Sequence, residues 1–173
     1  MQPPPSDAAR ERAVRRGPGA LGFLLAHHVP PHLDRCYLCW LGRRPVWWCA
    51  RCIGMYPALL LVLAIQLVTR PVVGWWDALW LFGLATPAVV DWALFRLAGR
   101  PGTNRVRTVT GVLLGLSLGR TVYLNMVAPA NLLVVTHLAF LVVSIAVLET
   151  IARLAFVKRR DTGSGHEARH SAS

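Results

Sequence analysis

Three long apolar stretches run almost without charge through this chain, and a fourth, shorter one follows a cysteine-rich segment. Runs of that length predict membrane spans rather than the core of a globular fold. The spans fall at Ile53–Thr69, Trp75–Leu97, Thr108–Val127 and Leu132–Val157. The first is the shortest and carries Pro57 near its start, where a proline is tolerated because first-turn N–H groups lack intrahelical partners. The pattern predicts an all-α, integral membrane four-helix bundle with a small cysteine-rich zinc-knuckle segment before the first span.

Composition agrees: 54% of the 173 residues are apolar and 16% are charged, unusual for a soluble protein of this size. The net charge of +11 raises the question of nucleic acid, and the placement of the charge excludes it. The arginines gather between the apolar stretches and at the two ends, where a membrane protein uses them to fix its orientation.

Eight arginines precede the first span, Arg70 alone follows it, Arg100, Arg105 and Arg107 lie between the second and third, and none lies between the third and fourth. Lys158, Arg159, Arg160 and Arg169 follow the last. Both termini and the central loop are therefore expected in the cytoplasm, in a multi-pass protein of the cell inner membrane. Trp75, Trp76 and Trp80 would form an aromatic belt at the outer interface. Residues 1–18 form a mobile basic arm, 19–52 a cytoplasmic His/Cys-rich metal-binding segment, 53–157 the four-transmembrane-helix domain and 158–173 a disordered cytoplasmic tail. Gly19–Ala26 is too short to span. A signal peptide cut after Ala26 is the competing reading of that stretch, disfavoured by the long basic segment before it.

Gly111, Gly115 and Gly119 line one face of the third span, so a neighbouring backbone approaches closely there, either within the bundle or at a homo-oligomer contact. Ahead of the first span, Cys36, Cys39, Cys49 and Cys52 form C-x2-C-x9-C-x2-C, two pairs that a short hairpin would bring into tetrahedral reach of a zinc ion. Gly42 and Gly54 would allow tight turns behind each pair. Two disulfides are the alternative, and a reducing cytoplasm argues for metal. Arg35, Arg43, Arg44 and Arg51 would offset the negative charge of four thiolates.

His27, His28, Pro30, Pro31, Arg35, Cys36 and Tyr37, followed by Cys49, Ala50, Arg51, Cys52, Gly54 and Tyr56, resemble the signature of a family of small bacterial and archaeal predicted membrane proteins, domain of unknown function 2085. Asp91, Asn104, Arg107, Gly111 and Gly115 resemble its second block. The resemblance implies a membrane location and no particular activity. It also implies a histidine, one cysteine and a C-x2-C pair as the usual pattern, which leaves the fourth ligand open between Cys39 and His27 or His28.

Ionisable groups within spans are costly and so point to function. Glu149 and Arg153, at i and i+4, are expected to pair with each other. Arg120 has Asp77 or Glu149 within reach, depending on helix rotation. Asp91 lies about 9 Å from the cytoplasmic end of its span, on the side of Asn104, Arg105 and Arg107, where it forms either a polar pocket or an ion pair with Arg107. His137 is read as a helix-to-helix hydrogen bond.

Three functions fit these features. The first is a non-enzymatic membrane protein with a closed structural zinc site. The second is a membrane enzyme acting on a phosphorylated lipid, with Arg105 and Arg107 holding phosphate and Asp91 as general base. The third is a small transporter acting as an oligomer.

Overall fold

The computed structural model describes the backbone of residues 32–41, 44–99 and 102–170, and the side chains within 34–40, 45–99 and 102–155. The expected basic arm, the Gly19–Ala26 stretch, His27 and His28 lie outside the described residues.

A 3-10 turn at His32–Arg35 leads into an antiparallel hairpin of β1 (Cys36–Leu41) and β2 (Arg44–Cys49). Four long helices follow: α1 (Ala50–Thr69), α2 (Trp76–Ala98), α3 (Asn104–Val127) and α4 (Leu132–His170). The segment expected to be a zinc knuckle is thus a β-hairpin running straight into α1. Its composition explains this, since Tyr37, Leu38, Trp40, Val46, Trp47 and Trp48 are the residue types that favour a pleated, half-buried ribbon. The helix beginning at Ala50 rather than Ile53 is 20 residues long, enough to cross a bilayer core.

The helix ends follow from local chemistry. Arg70 closes α1 in the left-handed conformation with Pro71 directly behind it, and Gly99 closes α2 in the same way at φ +62°. Thr103 caps α3, its hydroxyl accepting from the Val106 N–H at 3.3 Å. Within α2, Pro87 cannot donate to the Gly83 carbonyl one turn earlier, and the turn at Leu79–Gly83 that precedes it is widened into π geometry.

Among the described residues, three helices are long and apolar enough to cross a membrane: α1, α2 and α4 over Leu132–Ala155. The third stretch, expected as a fourth span of the same kind, differs in character. α3 is the central element and packs most extensively on α1, then on α2, and more lightly on α4. Its buried positions include Arg107, Ser117, Arg120 and Thr121, so its polarity faces other helices. Large apolar side chains of α1 and α4, such as Leu60, Val68, Val142 and Leu154, remain exposed, as expected of surfaces that meet lipid.

The glycine face of α3 is used within the chain. A Cβ at Gly111 would fall on the Arg51 carbonyl oxygen, and one at Gly115 on that of Met55. One at Gly119 would strike Val62 and lie 2.8 Å from the Leu59 carbonyl. Gly54 meets the Thr108 carbonyl from the opposite side. The homo-oligomer contact considered for Gly111, Gly115 and Gly119 is therefore corrected, because α1 already occupies that face. Gly54 likewise serves this helix contact rather than a turn behind a metal ligand.

Candidate functional site

The hairpin is fastened to the end of the helices where α2 gives way to α3. The Asn104 side-chain amide donates to the Asp34 carbonyl at 3.0 Å. The Tyr37 and Thr108 hydroxyls lie 3.1 Å apart, and the Thr108 hydroxyl reaches the Ala50 carbonyl at 2.9 Å. Charge-rich hairpin, central loop and the start of α3 thereby meet at one end of the molecule.

Register decides where the cysteines go. Cys36 stands directly opposite Cys49, while Cys39 faces Val46 and is exposed. Three positions along a strand carry a side chain to the other face and about 10 Å away, so Cys39 leaves the cluster. Cys52 lies in the first turn of α1 and shares a side-chain hydrogen bond with Cys49. The expected tetrahedral set of Cys36, Cys39, Cys49 and Cys52 is corrected on this geometry, and among the described residues no group of three or more His, Cys, Asp or Glu is placed to hold a metal ion. Cys36 packs against Trp47 and Leu38. Burial, and then the neighbouring Cys49, push its thiol up to about 11, so it stays protonated at neutral pH.

Beneath the hairpin lies a cavity of about 250 Å³, walled by α1, α2 and α3. Arg35, Arg51 and Arg107 line it, together with Asp91, and Met55, Trp92 and Phe95 supply apolar wall. Arg51 forms an ion pair with Asp91. Of the two arrangements expected for Asp91, the ion pair with Arg107 is thus replaced by one with Arg51, presented by α1 where it packs on the glycine face of α3. Gly102 lets the central loop close over the carboxylate, as a Cβ there would lie 2.9 Å from the Asp91 Oδ1.

Arg107 is 8% exposed, and its guanidinium lies 5.9 Å from the Phe95 ring centroid. Arg35 stacks over the same ring at 3.7 Å, a cation–π contact that holds it facing the cavity. Burial first, and then the Arg107 charge, lower the pKa of Arg35 from its ordinary value. The Nε atoms of Arg35 and Arg51 are buried with no hydrogen-bond partner among the described residues. Arg105, expected beside Arg107, is exposed and does not line the cavity, because positions two apart on a helix point about 160° apart. Sequence reasoning treated Arg35 and Arg51 only as counter-charges for thiolates. Their flanking of the cysteines was the available signal, and the hairpin turns it toward Asp91.

The other ionisable groups are spent on structure. Arg120 donates to Asp77 at 2.7 Å, to the Gln66 side chain at 2.9 Å and to the Val72 carbonyl at 3.2 Å. Glu149 takes a two-pronged contact from Arg96 of α2 rather than the expected i, i+4 pair with Arg153, the planar fork matching the carboxylate across helices. His137 is fully buried between the Ser117 and Thr121 hydroxyls, at 3.1 and 3.0 Å, the helix-to-helix hydrogen bond its position suggested.

A family model described as a predicted membrane protein, DUF2085, matches residues 33–121. That segment contains every residue lining the cavity. No curated protein and no solved structure matches the chain.

Proposed function

We propose, from the premise that this chain belongs to the DUF2085 family of predicted membrane proteins, that it crosses the cytoplasmic membrane four times and binds an anionic group in the cavity beneath its hairpin. The fourth crossing is α3, whose mid-helix Arg120 is buried against Asp77 and Gln66 of neighbouring helices and so reaches no lipid. Both termini, the hairpin and the central loop lie on the cytoplasmic side in this reading, because the positive charge gathers there. Trp75, Trp76 and Trp80, all exposed, then sit at the outer interface. Fusing a cytoplasm-active reporter to each terminus is expected to give signal at both ends, and an external C-terminus would reduce the crossings to three.

One observation carries the anion reading: three guanidinium groups and a single carboxylate line one half-open cavity. Buried charge of one sign is costly unless something neutralises it, and guanidinium forks are suited to phosphate and carboxylate oxygens. Asp91, held by Arg51, acts here as a charge partner that orients the fork and not as a general base, so the role is binding rather than catalysis. Purified protein in neutral detergent is expected to gain thermal stability on adding short-chain anionic phospholipid, as any ligand selective for the folded state produces. Arg107→Gln should weaken that binding by tenfold or more, the loss of a charge-assisted hydrogen bond of about 1.5–3 kcal/mol. An unchanged melting curve across all anions removes the reading.

Zinc is a second reading, supported by Cys49 standing opposite Cys36 and sharing a side-chain hydrogen bond with Cys52. It takes its fourth donor from His27 or His28, as Cys39 faces away. Metal analysis is then expected to find one zinc per chain, retained in Cys39→Ser and released in Cys49→Ser or Cys52→Ser. Metal-free wild-type protein eliminates it.

A further inference from the structure

The cavity has a charge count, a donor count and a size, and together they narrow the anion. Among the residues lining it Arg35, Arg51 and Arg107 outnumber Asp91 by two charges, and Asp34, beside Arg35 and outside the lining, offsets part of this excess. A phosphodiester headgroup brings one negative charge and two non-bridging oxygens. A phosphomonoester brings close to two charges at neutral pH and three strong acceptor oxygens.

The donors match the second description. The Nε of Arg35 and the Nε of Arg51 are both buried with no hydrogen-bond partner among the described residues. Arg107, nine-tenths buried, presents a third guanidinium near the Phe95 ring. Three cationic donors from β1's approach, α1 and α3 thus converge from different elements. Arg51 is already turned by Asp91, and Arg35 is already laid flat on Phe95. Fixing these side chains before the ligand arrives removes part of the entropy cost of binding.

Size and surroundings limit the remainder of the ligand. About 250 Å³ is below the range of sites that enclose a whole drug-sized molecule, so a headgroup enters while the rest of the ligand stays outside. Two of the cavity's walls are α1 and α2, both apolar enough to cross a membrane, and the lining includes Met55, Trp92 and Phe95. An acyl or prenyl chain leaving the cavity along those helices would meet an apolar surface.

Building on the anion-binding reading above, we infer that the ligand is a phosphomonoester dianion, carried at the end of a lipid, with its terminal oxygens held by Arg35, Arg51 and Arg107. The specificity is for the monoester over the diester, because the dianion offsets more of the excess charge and only three free oxygens serve all three donors.

The test compares ligands that share a glycerol backbone. Full-length protein in neutral detergent is titrated with dihexanoyl phosphatidic acid, dihexanoyl phosphatidylglycerol and glycerol 3-phosphate, binding being read by calorimetry. Phosphatidic acid is expected to bind at least tenfold more tightly than phosphatidylglycerol, and at least tenfold more tightly than glycerol 3-phosphate. Arg35→Gln is expected to weaken phosphatidic acid binding by a larger factor than phosphatidylglycerol binding and so to shrink the monoester preference, with an unchanged thermal unfolding profile showing that the fold is kept. Arg107→Lys, which keeps the charge and loses the fork, should also lower the preference. If phosphatidic acid and phosphatidylglycerol bind equally, the monoester inference is overturned and the anion site stands. If none of the three binds, both fall. If glycerol 3-phosphate binds as tightly as phosphatidic acid, the phosphomonoester chemistry is upheld, and the lipid source is overturned in favour of a soluble one.

Discussion

Gly115→Leu is expected to destabilise the protein by about 3 kcal/mol or more, at the upper end of what overpacking a tight core costs. The added side chain would begin on the Met55 carbonyl oxygen, and a helix backbone cannot rotate out of the way as a side chain can. α1 and α3 would have to separate along the face where Gly54, Gly111, Gly115 and Gly119 let them approach. Separation would also carry Arg51 away from Asp91 and open the cavity. Resistance to thermal or detergent unfolding measures the effect, with Gly74→Ala as the control, because nothing lies within 4 Å of a Cβ there. A Gly115→Leu protein that unfolds with the wild type would mean that α1 and α3 do not meet through glycine.

Arg120→Leu is expected to cost about 3–5 kcal/mol, the penalty for leaving one member of a buried ion pair without its partner. Arg120 and Asp77 have side chains only 9% and 6% exposed, so water cannot replace the lost contact. Removing the guanidinium would strip Asp77 of its charge partner, leaving its other carboxylate oxygen on the Gly74 N–H at 2.9 Å. It would also leave the Gln66 side-chain oxygen and the Val72 carbonyl without the Arg120 donor. Asp77→Leu should cost a similar amount. The double change to leucine should cost less than the sum of the two singles, because it removes both charges together. Additive losses in a double-mutant cycle would show that the two groups act independently. The network also ties the turn between α1 and α2 to α3, so either single change should raise protease access at Pro71–Trp75.

Long apolar runs are a local property that needs no knowledge of partners, and the helices were legible for that reason. The runs placed α1, α2 and the start of α4 to within a few residues, although α4 continues to His170, past the expected end at Val157, and His137 and the glycine face of α3 read correctly as packing features. The start of α1 was missed by three residues because Ala50, Arg51 and Cys52 were assigned to a metal knuckle. Spacing alone cannot tell a C-x2-C knuckle from a strand that flows into a helix. A short hairpin between the two cysteine pairs was expected and is present; the β-favouring run on both sides of Gly42 was the further signal that it forms paired strands leading into α1.

Which charges pair could not be read from the order of residues. Asp91 takes Arg51 and not Arg107, and Glu149 takes Arg96 and not Arg153. Partner choice between helices depends on how each is rotated about its axis and how closely the axes approach, and neither quantity is written in any one segment. The glycines of α3 bring α1 near enough for Arg51 to claim Asp91, which leaves Arg107 facing the cavity. Membrane character, the positions of three apolar helices and the bias of positive charge are sums over neighbouring residues, so the chain's own order of residues was enough to establish them. The cationic cavity arises where the hairpin, α1, α2 and α3 converge, because its charge depends on which arginines the packing of those elements turns toward one carboxylate.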